Sequence, residues 1–354
     1  MKPFPYFALS VPHSLGHCIK NTYFCRVKKT STIMGNFFTS LFSSSKAAGT
    51  EEDKAKDEAK KFDVLKYDGI RAQQIGKTAY AIRCFNEALL IREDFETMNY
   101  LAATYSMASE PEKALEVIDR MVALEPDHVD TWLMRVNLLF MLDREAEVAA
   151  DCERIISLDA SNHLPYYLQA KAKRAGGDLF GAIADLTRAV ELKADFAPAY
   201  LLRAEILLGM QQGAEALADV EKTIEQVPEE ESAYLLRGRI YELLADREKA
   251  AADYRRVLEL NPFNEEAVLL AGGLLISEEK YDEAVGFFDE AIDTNPSFAK
   301  AYAERGRAKN LKGDKAGAFE DLKKAIELNP EGEEARKFDG QHSNFDNLYK
   351  GGIF

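Results

Sequence analysis

His13, His17, Cys18 and Cys25 are of the types that hold zinc, because imidazole nitrogens and thiolates are that ion's preferred donors. Their spacing matches no standard tetrahedral site, so no metal is assigned to them. His128 and His163 stand apart from any partner motif and read as surface side chains in turns. Cys84 and Cys152 fall at positions of apolar packing and read as packed thiols, not nucleophiles. No cysteine pair lies near either one, which fits a reducing compartment. The carboxylate runs Glu229-Glu230-Glu231 and Glu278-Glu279 read as solvated acids in turns and at exposed helix starts, where the helix dipole can favour them, and not as acid–base pairs. The chain has no His-Glu-x-x-His, no glycine-rich phosphate loop and no Ser–His–Asp grouping. The expectation is a protein that is not an enzyme, with no catalytic residue, no cofactor, no metal and no small-molecule substrate.

One pairing of charges recurs. Arg135, Arg203, Arg237 and Arg305 are each followed, at a constant spacing, by Asp151, Asp219, Asp253 and Asp321. Where the arginine is replaced by Ala271 or Leu101, the acid is replaced too, by Phe287 or Val117. A partly buried charge left alone is costly, so such a pair is kept or lost whole. These are expected to be structural ion pairs between two helices of one unit. In one unit Asp185 faces Gln169 in place of arginine, still a hydrogen-bonding partner.

The element that positions these residues is a repeat. Pro126, Ala160, Ala194, Pro228, Pro262, Pro296 and Pro330 follow one another at intervals of 34 residues. A fixed period of that length marks helix–turn–helix arrays. Counted from the start of each unit, position 8 is small (Gly69, Ala102, Val136, Ala170, Ala204, Gly238, Gly272, Gly306), and position 20 is alanine or valine (Ala81 to Ala318). Position 24 is larger, as in Phe85, Ile118, Leu186, Tyr254 and Phe288. Small residues of this kind let two helices cross closely.

Over residues 62–332 the sequence resembles the tetratricopeptide-repeat family. The resemblance implies an all-α solenoid, an α-α superhelix of eight units: 62–94, 95–128, 129–162, 163–196, 197–230, 231–264, 265–298 and 299–332. It departs from the pattern in the first unit, with Leu65 and Ala72, and in the fourth, with Lys173 where a bulky apolar residue is usual. The resemblance also implies a concave face built from the first helix of each unit, here helix A, with positions 2, 5, 6, 9 and 12–13 lining it. Positions 5 and 6 are Leu133-Met134, Tyr167-Leu168, Leu201-Leu202, Leu235-Leu236 and Leu269-Leu270. An apolar stripe of that extent is rarely left without a partner. The position-6 residues, usually polar in the family, are expected to be the exposed half. Asn137, Lys171 and Arg239 add scattered polarity, but not the clamp of lysine, arginine and asparagine with which the family holds acidic chaperone tails.

Composition narrows the partners. A net charge of −15 argues against a phosphate backbone, so no nucleic-acid partner is expected. Residues 1–33 contain basic side chains and no acid, so the acidity lies wholly in the remainder. Their apolar residues are too interrupted for a secretory signal, and the lack of acids fits a transit peptide although only one arginine is present; translation is expected to begin at Met34, with a cleaved targeting segment as the alternative. Residues 34–61 read as a leader, apolar at 34–44 (Phe37, Phe38, Leu41, Phe42) and then a charged linker or frayed helix. Met34-Gly35 with Thr39 also fits an N-myristoylation pattern. Residues 333–354 read as a short capping helix and an apolar tail. The expected function is a cytoplasmic scaffold holding an extended or helical apolar segment of another protein. The alternatives are a membrane-associated assembly factor anchored through 34–44 and a substrate-presenting subunit of an enzyme complex.

Overall fold

A computed structural model describes residues 51–332. The chain divides into two compact units, residues 1–57 and residues 58–354. Of the first, the described part is a stretch of exposed helix in which Lys56 donates to Glu52 at 2.8 Å. The charged run 51–61 is α-helical and exposed, with acids in its first turn where the helix dipole favours them.

The second unit is an all-α helical-repeat superhelix, with no strand among the described residues. Its helices come in pairs: α1 (Glu51–Gln74, of which residues 58–74 belong to this unit) and α2 (Thr78–Ile91), α3 (Phe95–Met107) and α4 (Pro111–Leu124), α5 (Val129–Met141) and α6 (Glu145–Leu158), α7 (Leu164–Ala175) and α8 (Leu179–Leu192). The second half repeats the scheme with α9 (Ala197–Gly209) and α10 (Gly213–Gln226), α11 (Glu231–Leu243) and α12 (Arg247–Leu260), α13 (Glu265–Ser277) and α14 (Tyr281–Thr294), α15 (Ala299–Lys312) and α16 (Lys315–Leu328). None of the described helices is long and apolar enough to cross a membrane. From α2 onward each helix packs on the next, and helix A of one unit also meets helix A of its neighbour, as α9 meets α11 and α13 meets α15. That A-to-A approach puts the first helices on the inside of the curve.

The turn inside each unit has one geometry. In the second unit the Ser109 amide donates to Ser106 at 3.1 Å and the Glu110 amide to Tyr105 at 2.9 Å, which closes helix A with a Schellman motif. Ser109, the first of these donors, is left-handed, as is its equivalent in every unit, at Gly76, Asp143, Gly177, Gln211, Ala245, Glu279 and Gly313. The next residue opens helix B, and in three units it is an aspartate (Asp178, Asp246, Asp314) whose carboxylate accepts a first-turn amide.

Within a unit the helices cross where position 8 meets position 24. A β-carbon on Gly69 would lie 2.6 Å from Phe85 Cε1, and on Gly238 or Gly272 it would run into the ring of Tyr254 or Phe288. All three aromatic rings are fully buried. Aromatic residues at position 4 tie the units together: the Trp132 indole donates to the Pro126 carbonyl at 2.9 Å, and the Tyr234 hydroxyl to Pro228 at 3.0 Å.

Candidate functional site

The recurrent arginines lie along the seam between helices A and B. Arg135 Nη1 is 2.5 Å from Asp151, and Arg203, Arg237 and Arg305 each grip Asp219, Asp253 and Asp321 through two nitrogens. A forked guanidinium on a carboxylate is the strongest form of this contact. Three of the arginines also reach back one unit, Arg135 to Asp119 at 2.7 Å, Arg203 to Thr187 at 2.8 Å and Arg305 to Asp289 at 2.5 Å. Sequence reasoning missed this second contact, although its constant spacing upstream of each arginine was there to read. Burial pushes the Asp151 carboxyl above its ordinary range, against the pull of Arg135. In the fourth unit the partner of Asp185 is Lys173, at 2.7 Å, and not Gln169. The lysine that breaks the apolar pattern thus stands in for the missing arginine.

The inner face differs from the expectation at position 6. Leu202, Leu236 and Leu270 are only 8%, 7% and 7% exposed and belong to the core with Ile206, Ile240 and Leu274. They are packing residues, not an open groove; Met134 and Leu168 at the same position are half-buried against the core of the first three units. The reason is helical geometry: adjacent residues point about 100° apart, so positions 6 and 10 share one stripe and positions 5, 9 and 12 another. Position 6 is turned toward the neighbouring unit. Position 5 keeps part of its surface, and Leu133, Tyr167, Leu201, Leu235 and Leu269 are all half-buried.

Of the polar residues expected there, Asn137 is exposed, the Lys171 ammonium lies 4.7 Å from the centre of the Phe140 ring, and Arg239 is paired with Glu266 on the next unit. Met107 and Met141, at position 13 of neighbouring units, are 57% and 66% exposed. The relief deepens into a pocket of about 300 Å³ where α7, α9 and the end of α10 meet. Leu201, Ala197, Pro198 and Tyr167 form its apolar side, Thr223 of α10 and Val227, the residue that caps that helix, close it, and Glu205 and Glu230 stand among its polar residues. The edge of the Leu202 side chain also reaches it. The Tyr167 ring meets the Phe196 ring edge-on at 5.2 Å, and burial, then the charge of Glu205, pushes its hydroxyl above the usual range. Glu205 is held by Arg174 at 2.6 Å. Pro198 and Glu205 occupy positions 2 and 9, where the sequence pattern points inward. Thr223 and Val227 come from helix B and carry no such signal.

Elsewhere the chemistry-bearing residues are absorbed into packing. Cys84 and Cys152 are free and buried, and burial pushes the Cys152 thiol up to about 12. His163 packs edge-on to Phe196 at 4.6 Å, and burial, then Lys193, lowers its pKa. His128 shares a hydrogen bond with Thr131 at 3.0 Å. Among the described residues no cluster of three or more potential ligands surrounds a space for a metal ion. The His13–Cys25 group, the apolar segment 34–44 with its Met34-Gly35 pattern, and the tail 333–354 lie outside the described residues.

Paired helices, small-on-large crossings and an inner face of first helices define an all-α repeat solenoid of the kind that serves as an interaction scaffold. The tetratricopeptide-repeat profile matches three overlapping stretches of the chain, residues 201–265, 235–297 and 269–333, which supports reading the solenoid as tetratricopeptide repeats. The chain matches no curated protein in sequence. Among solved structures it is similar to a tetratricopeptide repeat protein from Parabacteroides merdae, at 16% identity and a TM-score of 0.52, covering 72% of this chain and 97% of that one. It is also similar to YrrB, described as a TPR protein with an unusual peptide-binding site, at 25% identity and a TM-score of 0.43, over 54% of this chain and 98% of that one. A third, MamA, shares 22% identity at a TM-score of 0.43, over 46% of this chain and 95% of that one. Proteins of this family are in general protein-interaction scaffolds.

Proposed function

We propose that the protein is a non-catalytic, cytoplasmic scaffold that holds an apolar segment of a partner protein along the inner face, with its anchor in the pocket at Leu201. The observation that supports this reading is the pocket itself: an apolar recess on the inner face, flanked on both sides by half-buried side chains at position 5. Burying one large apolar side chain there gains roughly 1.5–3 kcal/mol, and the flanking row extends the contact. The polar atoms at the rim fix orientation more than they add affinity.

The test is photo-crosslinking inside cells from a reactive residue placed at Leu201, with Ala184 on the exposed surface of α8 as the control position. Discrete partner adducts from position 201 and none from position 184 are expected. Equal labelling from both positions would move the binding surface away from the inner face.

A further inference from the structure

The pocket between α7, α9 and α10 is electrically lopsided. On one edge Glu205 is closed into an ion pair with Arg174 at 2.6 Å. Glu230, from the turn Glu229-Glu230-Glu231, forms another part of its lining, with the exposed Glu229 next to it in sequence. Glu231 is satisfied there, since the side-chain amides of Asn261 and Asn264 each donate to it at 3.0 Å. Glu230, which lines the pocket, accepts the Ser232 hydroxyl. Among the described residues, no lysine or arginine nitrogen stands within ion-pair distance of Glu229 or Glu230. Nearby Lys193 is turned to the Phe196 ring, 5.6 Å from its centre. Val227, 41% exposed, joins the apolar floor to this acidic edge.

Resting on the scaffold reading above, we propose that the pocket takes a bulky apolar side chain of a partner segment whose adjoining residue, on the side of the α10–α11 turn, is lysine or arginine. Apolar walls supply the anchor, and they carry no information about which neighbours the anchor has. The Glu230 carboxylate, reinforced by the exposed Glu229 beside it in the turn, supplies it, because these acids repel an acidic flank and draw a basic one. Open carboxylates at a rim act mainly on encounter and specificity, and salt screens them. The net charge of −15 works in the same direction at longer range.

The experiment is selection of random dodecapeptides displayed on phage against the full chain, repeated with three variants whose helicity is first checked by circular dichroism. Wild type is expected to enrich peptides with an apolar anchor beside Lys or Arg. Leu201→Gln is expected to abolish that enrichment; Val227→Gln, at a more exposed wall, guards against a folding defect at Leu201. The double charge reversal Glu229→Lys/Glu230→Lys is expected to keep the anchor and turn the favoured neighbour acidic, with basic-flanked peptides weakened roughly tenfold. Peptides that need Leu201 and Val227 but show no charge preference, or none that reverses, overturn this inference and leave the scaffold reading standing. Enrichment indifferent to both pocket variants, or no enrichment at all, overturns the two together.

Discussion

The volumes at positions 8 and 24 are most tightly matched where a glycine meets a ring. Glycine at Gly69, Gly238 and Gly272 faces an aromatic ring, whereas the unit with Val136, the largest residue at position 8, has the smaller Cys152 at position 24, both fully buried. Gly272→Ala is therefore expected to cost about 1–3 kcal/mol by overpacking, although alanine is the better helix former. Shrinking the ring in the double variant Gly272→Ala/Phe288→Leu recovers part of it, as urea unfolding will show; equal loss in both would mean the ring is not the obstacle. The Lys173–Asp185 pair gives a second expectation. Lys173→Ala leaves Asp185 largely buried without its cation and should cost about 1–3 kcal/mol near neutral pH. Burial already raises the Asp185 carboxyl from its ordinary 3.8, with Lys173 opposing. Removing the lysine raises it further, so the folded state holds that proton more tightly than the unfolded state. Stability then rises as pH falls through the raised value, and the gap between variant and wild type narrows toward pH 4. A gap that widens on acidification would remove Lys173 from this role.

At the scale of helices and turns, the left-handed residue between helices A and B is the point of stored strain. Five units place a side chain there, and Ala245, at φ 59°, has no side-chain polar group to offset it. Ala245→Gly is expected to raise stability by about 0.5–1 kcal/mol, while Gly313→Ala lowers it by a similar amount. A lower urea midpoint for Ala245→Gly would sink the argument. This turn was illegible in the sequence because Ser109, Gln211 and Glu279 carry no glycine signal; the conformation is imposed by the two helices that the turn joins. Helix pairing itself was legible, because the 34-residue period and the small-on-large crossings are local to each unit. The inner face was legible only in part. Leu201 and Leu202 are chemically the same residue side by side, and only the neighbouring unit decides which of them is covered.

For the molecule as a whole, that assignment sets where stability and binding separate. Leu202 closes the contact between units and Leu201 borders the pocket. Leu202→Ala is expected to cost about 2–5 kcal/mol, and Leu201→Ala less, with a loss of partner binding instead. Thermal unfolding of the two variants, set beside their crosslinking yields, measures both halves. Equal destabilisation would place Leu201 in the core as well. In a linear array the damage at Leu202 falls on the interface it shares with its neighbours, since stability is a sum of unit and nearest-neighbour contributions.

The backward reach of the arginines gives the array a syntax. The bond to Asp151, Asp219 or Asp321 stays within one unit and travels with it wherever that unit is placed. The bonds from Arg135 to Asp119, from Arg203 to Thr187 and from Arg305 to Asp289 name a predecessor. A shuffled chain that set the sixth unit ahead of the eighth would offer Arg305 the residue Arg255 where Asp289 now stands, two cations in one socket. Such a chain would keep every helix and every internal crossing, yet fail at the joint. The units are therefore words with an order, and a duplication that copies one of them without its antecedent leaves a guanidinium holding its own aspartate but with no partner behind it.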